Sequence, residues 1–127
     1  MKAVVLTHYD KKGADLEIRD ISMPVTKDDE VLVKIVTAAV NPLDNMIIRG
    51  ETKLIVPYAM PLVMGNEFAG VVEKTGKNIT KFKKGDSVYG RMPLDKIGAF
   101  AEFATIKESA LAHIPDYLSF EQAARIA

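Results

Sequence analysis

Short apolar or alternating runs, each closed by glycine, proline or an acidic turn, follow one another along nearly the whole chain. Val31-Leu-Val-Lys-Ile-Val36 is the richest in β-branched residues and reads as a central strand. Met1 to Thr7 forms a second strand, and Leu16-Glu-Ile-Arg-Asp-Ile21 alternates as a strand with one buried face does. Gly70-Val-Val-Glu-Lys-Thr-Gly76 is entered and left through glycines. Ser87 to Gly90 and Ala99 to Ile106 extend the sheet, and Ser109 to Ile114 ends it before Pro115. The connections are turns: Pro24 and Asp28-Asp-Glu30, then Lys83-Lys-Gly-Asp86, where Asp can bond back to the backbone. So many short strands predict a mainly β domain, a twisted and partly closed β-barrel.

Two short helices interrupt the pattern. The first has Asn41 as N-cap, Pro42 at its first position, Asp44 near the positive end of the helix dipole and Gly50 at its close. The second opens with the capping-box spacing Ser119-Phe-Glu-Gln122 and runs through Ala123 to Ala127 without a stop signal. That pattern predicts a chain that continues beyond Ala127.

A length of 127 residues makes one domain of 1–127. Basic and acidic residues balance at 17 each, which leaves no electrostatic footprint for nucleic acid or an anionic membrane. Lys74, Lys77, Lys81, Lys83 and Lys84 cluster among turn residues as a solvated loop. No stretch has the length of a membrane span, and the apolar run at the N-terminus is too short for a signal peptide, so a cytoplasmic protein is expected. Cysteine is absent, which excludes disulfides, thiolate nucleophiles and Cys-based zinc sites.

The candidates for chemistry are few. His8 and His113 lie far apart, with no second ligand at helical spacing, and read as structural or surface histidines. No Gly-x-Gly-x-x-Gly or phosphate loop occurs, so Gly65 and Gly70 are read as a bend and a close backbone approach. Asn41 and Asp44 follow a central strand, where polar residues either cap the helix or line a cleft. Met46, Ile47, Tyr58, Met60, Met64 and Met92 can form an apolar wall or fill the core. Tyr58, between Pro57 and Pro61, is expected to face a cleft.

Three segments carry a resemblance: Ala38-Ala-Val-Asn-Pro-Leu-Asp-Asn-Met-Ile-Ile-Arg-Gly50, Pro61-Leu-Val-Met-Gly-Asn-Glu-Phe-Ala-Gly70 and Gly85-Asp-Ser-Val-Tyr-Gly90. Together they resemble the N-terminal GroES-like catalytic domain of the medium-chain dehydrogenase/reductase superfamily. The match is closest to its zinc-free quinone oxidoreductase and enoyl reductase branches, and runs over nearly the whole chain. The resemblance implies a GroES-like barrel with two or three short helices, and a Rossmann nucleotide-binding domain that would begin after Ala127. It implies reduction of quinones or other conjugated carbonyls by hydride from NADPH, a cofactor held through that missing domain. The isolated chain would be inactive, and the full-length protein a homodimer.

Residue by residue, the resemblance puts Asn41 and Pro42 beside the nicotinamide. Asn41 would hydrogen-bond near the nicotinamide or the reactive carbonyl, and Asp44 would orient that network. Met46, Thr52, Tyr58, Glu67 and Met92 would line the substrate cleft. Where the zinc-dependent branch supplies Cys and His-Glu, this chain has Asn41 and Asn66-Glu67. An asparagine amide is a poor zinc ligand, so no zinc is expected. Several of the resembled reductases carry a tyrosine where this chain has Thr52, which is too weak an acid to donate a proton to carbon. This weakens the enoyl reductase reading more than the quinone one, unless Tyr58, shifted in register, takes over that role.

Two other readings stand beside this one. The first is a stand-alone GroES-like binding or assembly module without catalysis. The second is an alcohol dehydrogenase-like enzyme, the label such proteins often take by similarity. An exposed apolar patch of Ile47, Ile48, Leu54 and Ile55 is expected in either a reductase or an assembly module.

Overall fold

The computed structural model describes residues 1–12 and 16–126. Its strands are β1 (Lys2–Leu6), β2 (Leu16–Asp20), β3 (Glu30–Ala39), β4 (Leu62–Val63), β5 (Glu67–Thr75), β6 (Ser87–Arg91), β7 (Phe103–Lys107) and β8 (Leu111–His113). Two α-helices, α1 (Pro42–Ile48) and α2 (Phe120–Ile126), and one 3₁₀ turn at Glu108–Ala110 complete the fold. Among the described residues no helix is long and apolar enough to cross a membrane.

All ladders are antiparallel and form two sheets, of order β2-β1-β4 and β7-β3-β5-β6-β8. Among the described residues the strands do not close into one ring. The segment Ala99–Glu102, expected as the start of a strand, instead stitches the sheets together. Val4 N–H donates to the Phe100 carbonyl at 2.8 Å, Ile35 N–H to the Glu102 carbonyl at 2.9 Å, and Ala3 bridges Ala101. Regular pairing with β3 therefore begins only at Phe103.

The core fills the space enclosed by the sheets. Leu6, Val31, Val33, Phe68, Val72, Val88 and Ile106 are buried there, with Met64 and Met92 between them. At this depth each apolar side chain contributes about 1.5–3 kcal/mol. A separate contact holds α2: Ala123 and Ala124 pack on Ala69, and the small side chains let the helix lie close to the sheet.

Gly70 faces β3 at close range. A Cβ there would lie 2.2 Å from the Lys34 carbonyl oxygen. Gly65 makes the bend into β5 at φ +108°, and a Cβ would lie 2.5 Å from Phe100 N. Both glycines hold the roles expected of them.

Two expectations need correction. β2 does not bury one face: it is an edge strand, of which Leu16 packs against the core while Ile18 is 73% exposed. The apolar patch is also halved. Ile47 and Ile48 are buried, since α1 turns them into the core, whereas Leu54 and Ile55 on the following turn stay exposed.

Candidate functional site

Among the described residues a cluster of buried polar groups lies at the start of α1. Asn41 caps the helix: its Oδ1 accepts from Leu43 N–H at 3.1 Å. Asp44 completes the capping box, its Oδ2 accepting from Asn41 N–H at 2.9 Å. A seven-residue helix is marginal by itself, so this cap and the burial of Ile47 and Ile48 hold it.

Asp44 is 2% exposed, and its other oxygen reaches outside the helix. Oδ1 accepts from Asn66 Nδ2 at 2.9 Å, across the bend that leads into β5. Asn41 and Asn66 thus share the Asp44 carboxylate. Asn66 is 1% exposed and is itself fixed: Met92 N–H donates to its carbonyl at 2.6 Å. Two side-chain atoms of this cluster, Asn41 Nδ2 and Asn66 Oδ1, are buried without a hydrogen-bond partner, as is Thr52 Oγ1 nearby in sequence. An unpaired buried polar group costs about 1–3 kcal/mol, and functional sites are a common place to find one.

The remaining candidates are more scattered. Pro42 is exposed at the first turn of α1. Met46 is 38% exposed on the helix, while Met64 and Met92 belong to the core and Met60 packs against it. Tyr58 is half-buried, and its hydroxyl donates to the Leu94 carbonyl. Burial, with Tyr9 and Asp95 nearby, pushes that hydroxyl above the usual tyrosine range. Glu67, the first residue of β5, pairs across the sheet with Ala39 and lies 3.8 Å from Arg91 Nε.

Sequence reasoning weighed Asn66 only as a failed metal ligand. The signal was present, a polar amide set between Met64-Gly65 and the apolar start of β5, but its partner was not readable. It also passed over Glu30. This carboxylate, 2% exposed at the head of β3, accepts from Lys96 Nζ at 2.7 Å and from Lys27 N–H at 3.1 Å. Burial pulls the Glu30 carboxyl upward, but the Lys96 and Lys27 hydrogen bonds and charges outweigh it and leave it below the usual range.

Among the described residues no three His, Cys, Asp or Glu side chains group as a metal site requires. His113 is engaged structurally, 3.2 Å from Asp86 Oδ2 and stacked 4.5 Å from the Phe82 ring.

The family profile of the alcohol dehydrogenase GroES-like domain matches residues 27–116. The chain belongs to this family. It is the GroES-like domain of the medium-chain dehydrogenase/reductase superfamily, and its relatives there are quinone and alkenal reductases. The quinone oxidoreductase of Sus scrofa is 36% identical over 107 residues, covering 84% of this chain and 31% of that protein. The 2-methylene-furan-3-one reductase of Solanum lycopersicum is 36% identical over 132 residues, covering 99% and 34%. The crystal structure of Escherichia coli quinone oxidoreductase complexed with NADPH superposes with a TM-score of 0.85 at 25% identity, over 98% of this chain and 36% of that one. The chain therefore spans 31% and 34% of the length of these two curated relatives.

Proposed function

We propose that the chain is the substrate-side domain of a longer, zinc-independent NAD(P)H oxidoreductase that reduces quinones or other conjugated carbonyls. The observation that carries this reading is the Asn41–Asp44–Asn66 cluster. Its donors are uncharged amides and backbone N–H groups, at positions where the zinc-dependent branch of the resembled superfamily has Cys and His. The names of the relatives point the same way, and the Escherichia coli neighbour is a complex with NADPH. The nucleotide-binding domain would lie in the remainder of the full-length chain, with the protein a cytoplasmic homodimer.

The cluster suits a nicotinamide ring, since it offers neutral amide groups with one unpaired donor and one unpaired acceptor. The cofactor, when bound, supplies a hydride. The domain's own residues then bind, orient and exclude water. In this reading Asn41 Nδ2 donates to the oxygen on which negative charge develops as the acceptor takes the hydride. Asp44 does not touch the reacting atoms; it holds Asn41 through the capping box. Met46 provides apolar contact for a flat acceptor, with Thr52, Tyr58, Glu67 and Met92 as the other residues of the substrate cleft.

Quinones fit this site better than enones. A reduced quinone takes its proton on oxygen, where exchange with water needs no positioned acid. An enone needs a proton on carbon. Here Thr52 is too weak an acid, and the Tyr58 hydroxyl is held by Leu94 with its acidity lowered by burial.

The test is NADPH consumption by the full-length protein with a benzoquinone and with an alkenal, each with and without a metal chelator. Quinone turnover indifferent to chelator is expected. No turnover of either acceptor overturns the oxidoreductase reading, and loss of activity to chelator overturns zinc independence.

A further inference from the structure

Asn66 is the residue of the cluster with no role assigned so far, and its amide is held in one orientation. Its Nδ2 donates to Asp44 Oδ1 at 2.9 Å. A carboxylate only accepts, so turning the amide would set oxygen against oxygen. Asp44 cannot swing away either, because its second oxygen is held by Asn41 N–H. The backbone is fixed on both sides: Met92 N–H donates to the Asn66 carbonyl, and Gly98 and Ala99 N–H both donate to the Gly65 carbonyl at 3.0 Å. What remains is Oδ1, a buried acceptor with no partner in the chain.

A ligand that pairs with this atom must bring an N–H or O–H donor. The inference rests on the function proposed above, in which two ligands meet at the site. A quinone or an enone offers only acceptors. The nicotinamide ring carries a carboxamide, whose NH₂ is a donor. We propose that Asn66 Oδ1 accepts a hydrogen bond from the carboxamide NH₂ of the nicotinamide, making Asn66 a cofactor-binding residue. Asp44 is then the positioning residue for two amides with different tasks: Asn66 reads the cofactor, and Asn41 serves the acceptor oxygen. Oδ1 is closed off from solvent, so a hydrogen bond to it forms away from water.

The test uses the full-length protein and binding, read from the fluorescence of the reduced nicotinamide. NADPH is compared with its reduced 3-acetylpyridine analogue, in which a methyl group replaces the NH₂. The wild type is expected to bind NADPH roughly tenfold more tightly than the analogue. Asn66→Ala is expected to bind both within about twofold of each other. Asn66→Val likewise carries no acceptor, and it gives the same result if the alanine variant fails to fold. Equal wild-type affinities, or a preference that survives in either variant, overturn the role of Asn66 while leaving the oxidoreductase reading intact. A full-length protein that binds neither nucleotide overturns both.

Discussion

Asp44→Ala isolates the energetic worth of the buried cluster. The carboxylate is 2% exposed and accepts two hydrogen bonds of 2.9 Å, from Asn41 N–H and Asn66 Nδ2. Removing it leaves two donors unpaired in a dry environment, each costing about 1–3 kcal/mol. Part of that is recovered because a charge no longer has to be buried. The net loss is about 2–4 kcal/mol, a large share of the roughly 5–15 kcal/mol of a typical domain. Asp44→Asn keeps the shape and one acceptor, so it loses about half as much, about 1–2 kcal/mol. Urea unfolding followed by far-UV circular dichroism reads both. With a slope of about 2 kcal/mol per molar urea, the alanine variant's midpoint falls by roughly 1–2 M and the asparagine variant's by less. A midpoint for Asp44→Ala within about 0.3 M of wild type would refute the claim that this carboxylate organises the site.

Three further outcomes are expected. Glu30 has a folded-state pKa below its ordinary value, so its stabilising contribution is complete above the usual glutamate range and is lost as pH falls through the lowered value. Lys96→Met removes the strongest of the groups that lower it and leaves burial opposed by Lys27 alone, so acid unfolding moves to higher pH; an unchanged acid midpoint would count against the ion pair. Gly70→Ala places a methyl group 2.2 Å from the Lys34 carbonyl oxygen, and the β3–β5 ladder must shift at a cost of roughly 1–3 kcal/mol, measurable as a lowered thermal midpoint. In the full-length protein, Asn41→Ser retains a helix cap but loses the amide donor, so kcat for quinone reduction falls about a hundredfold while thermal stability changes by under about 1 kcal/mol.

Much of the fold was legible because it is written in short-range patterns. The β-branched run at Val31–Val36 anchors β3, and the glycines at 65 and 70 stand where backbones turn or meet. Asn41-Pro42 and Ser119 mark both helix starts, and Ser119 and Gln122 do exchange capping-box bonds. Each of these signals involves residues within a turn or two of each other. The misreadings came where position in the sheet decides the outcome. Leu16–Ile21 alternates like a half-buried strand, yet β2 falls at an edge and leaves Ile18 in solvent. Ile47 and Ile48 looked like surface residues beside Leu54 and Ile55, but the direction α1 takes from β3 buries the first pair alone.

The sequence by itself determined a cysteine-free, mainly β domain with a capped helix after its central strand, because local propensity and capping chemistry need no distant partner. Only the tertiary structure decided which polar groups share a carboxylate. Asn66 reaches Asp44 across 22 residues of chain, and Lys96 reaches Glu30 across 66. Such pairs follow from how the bend at Gly65 and the stitch at Ala99–Glu102 bring separate strands together, and no spacing along the chain encodes a contact made by that closure.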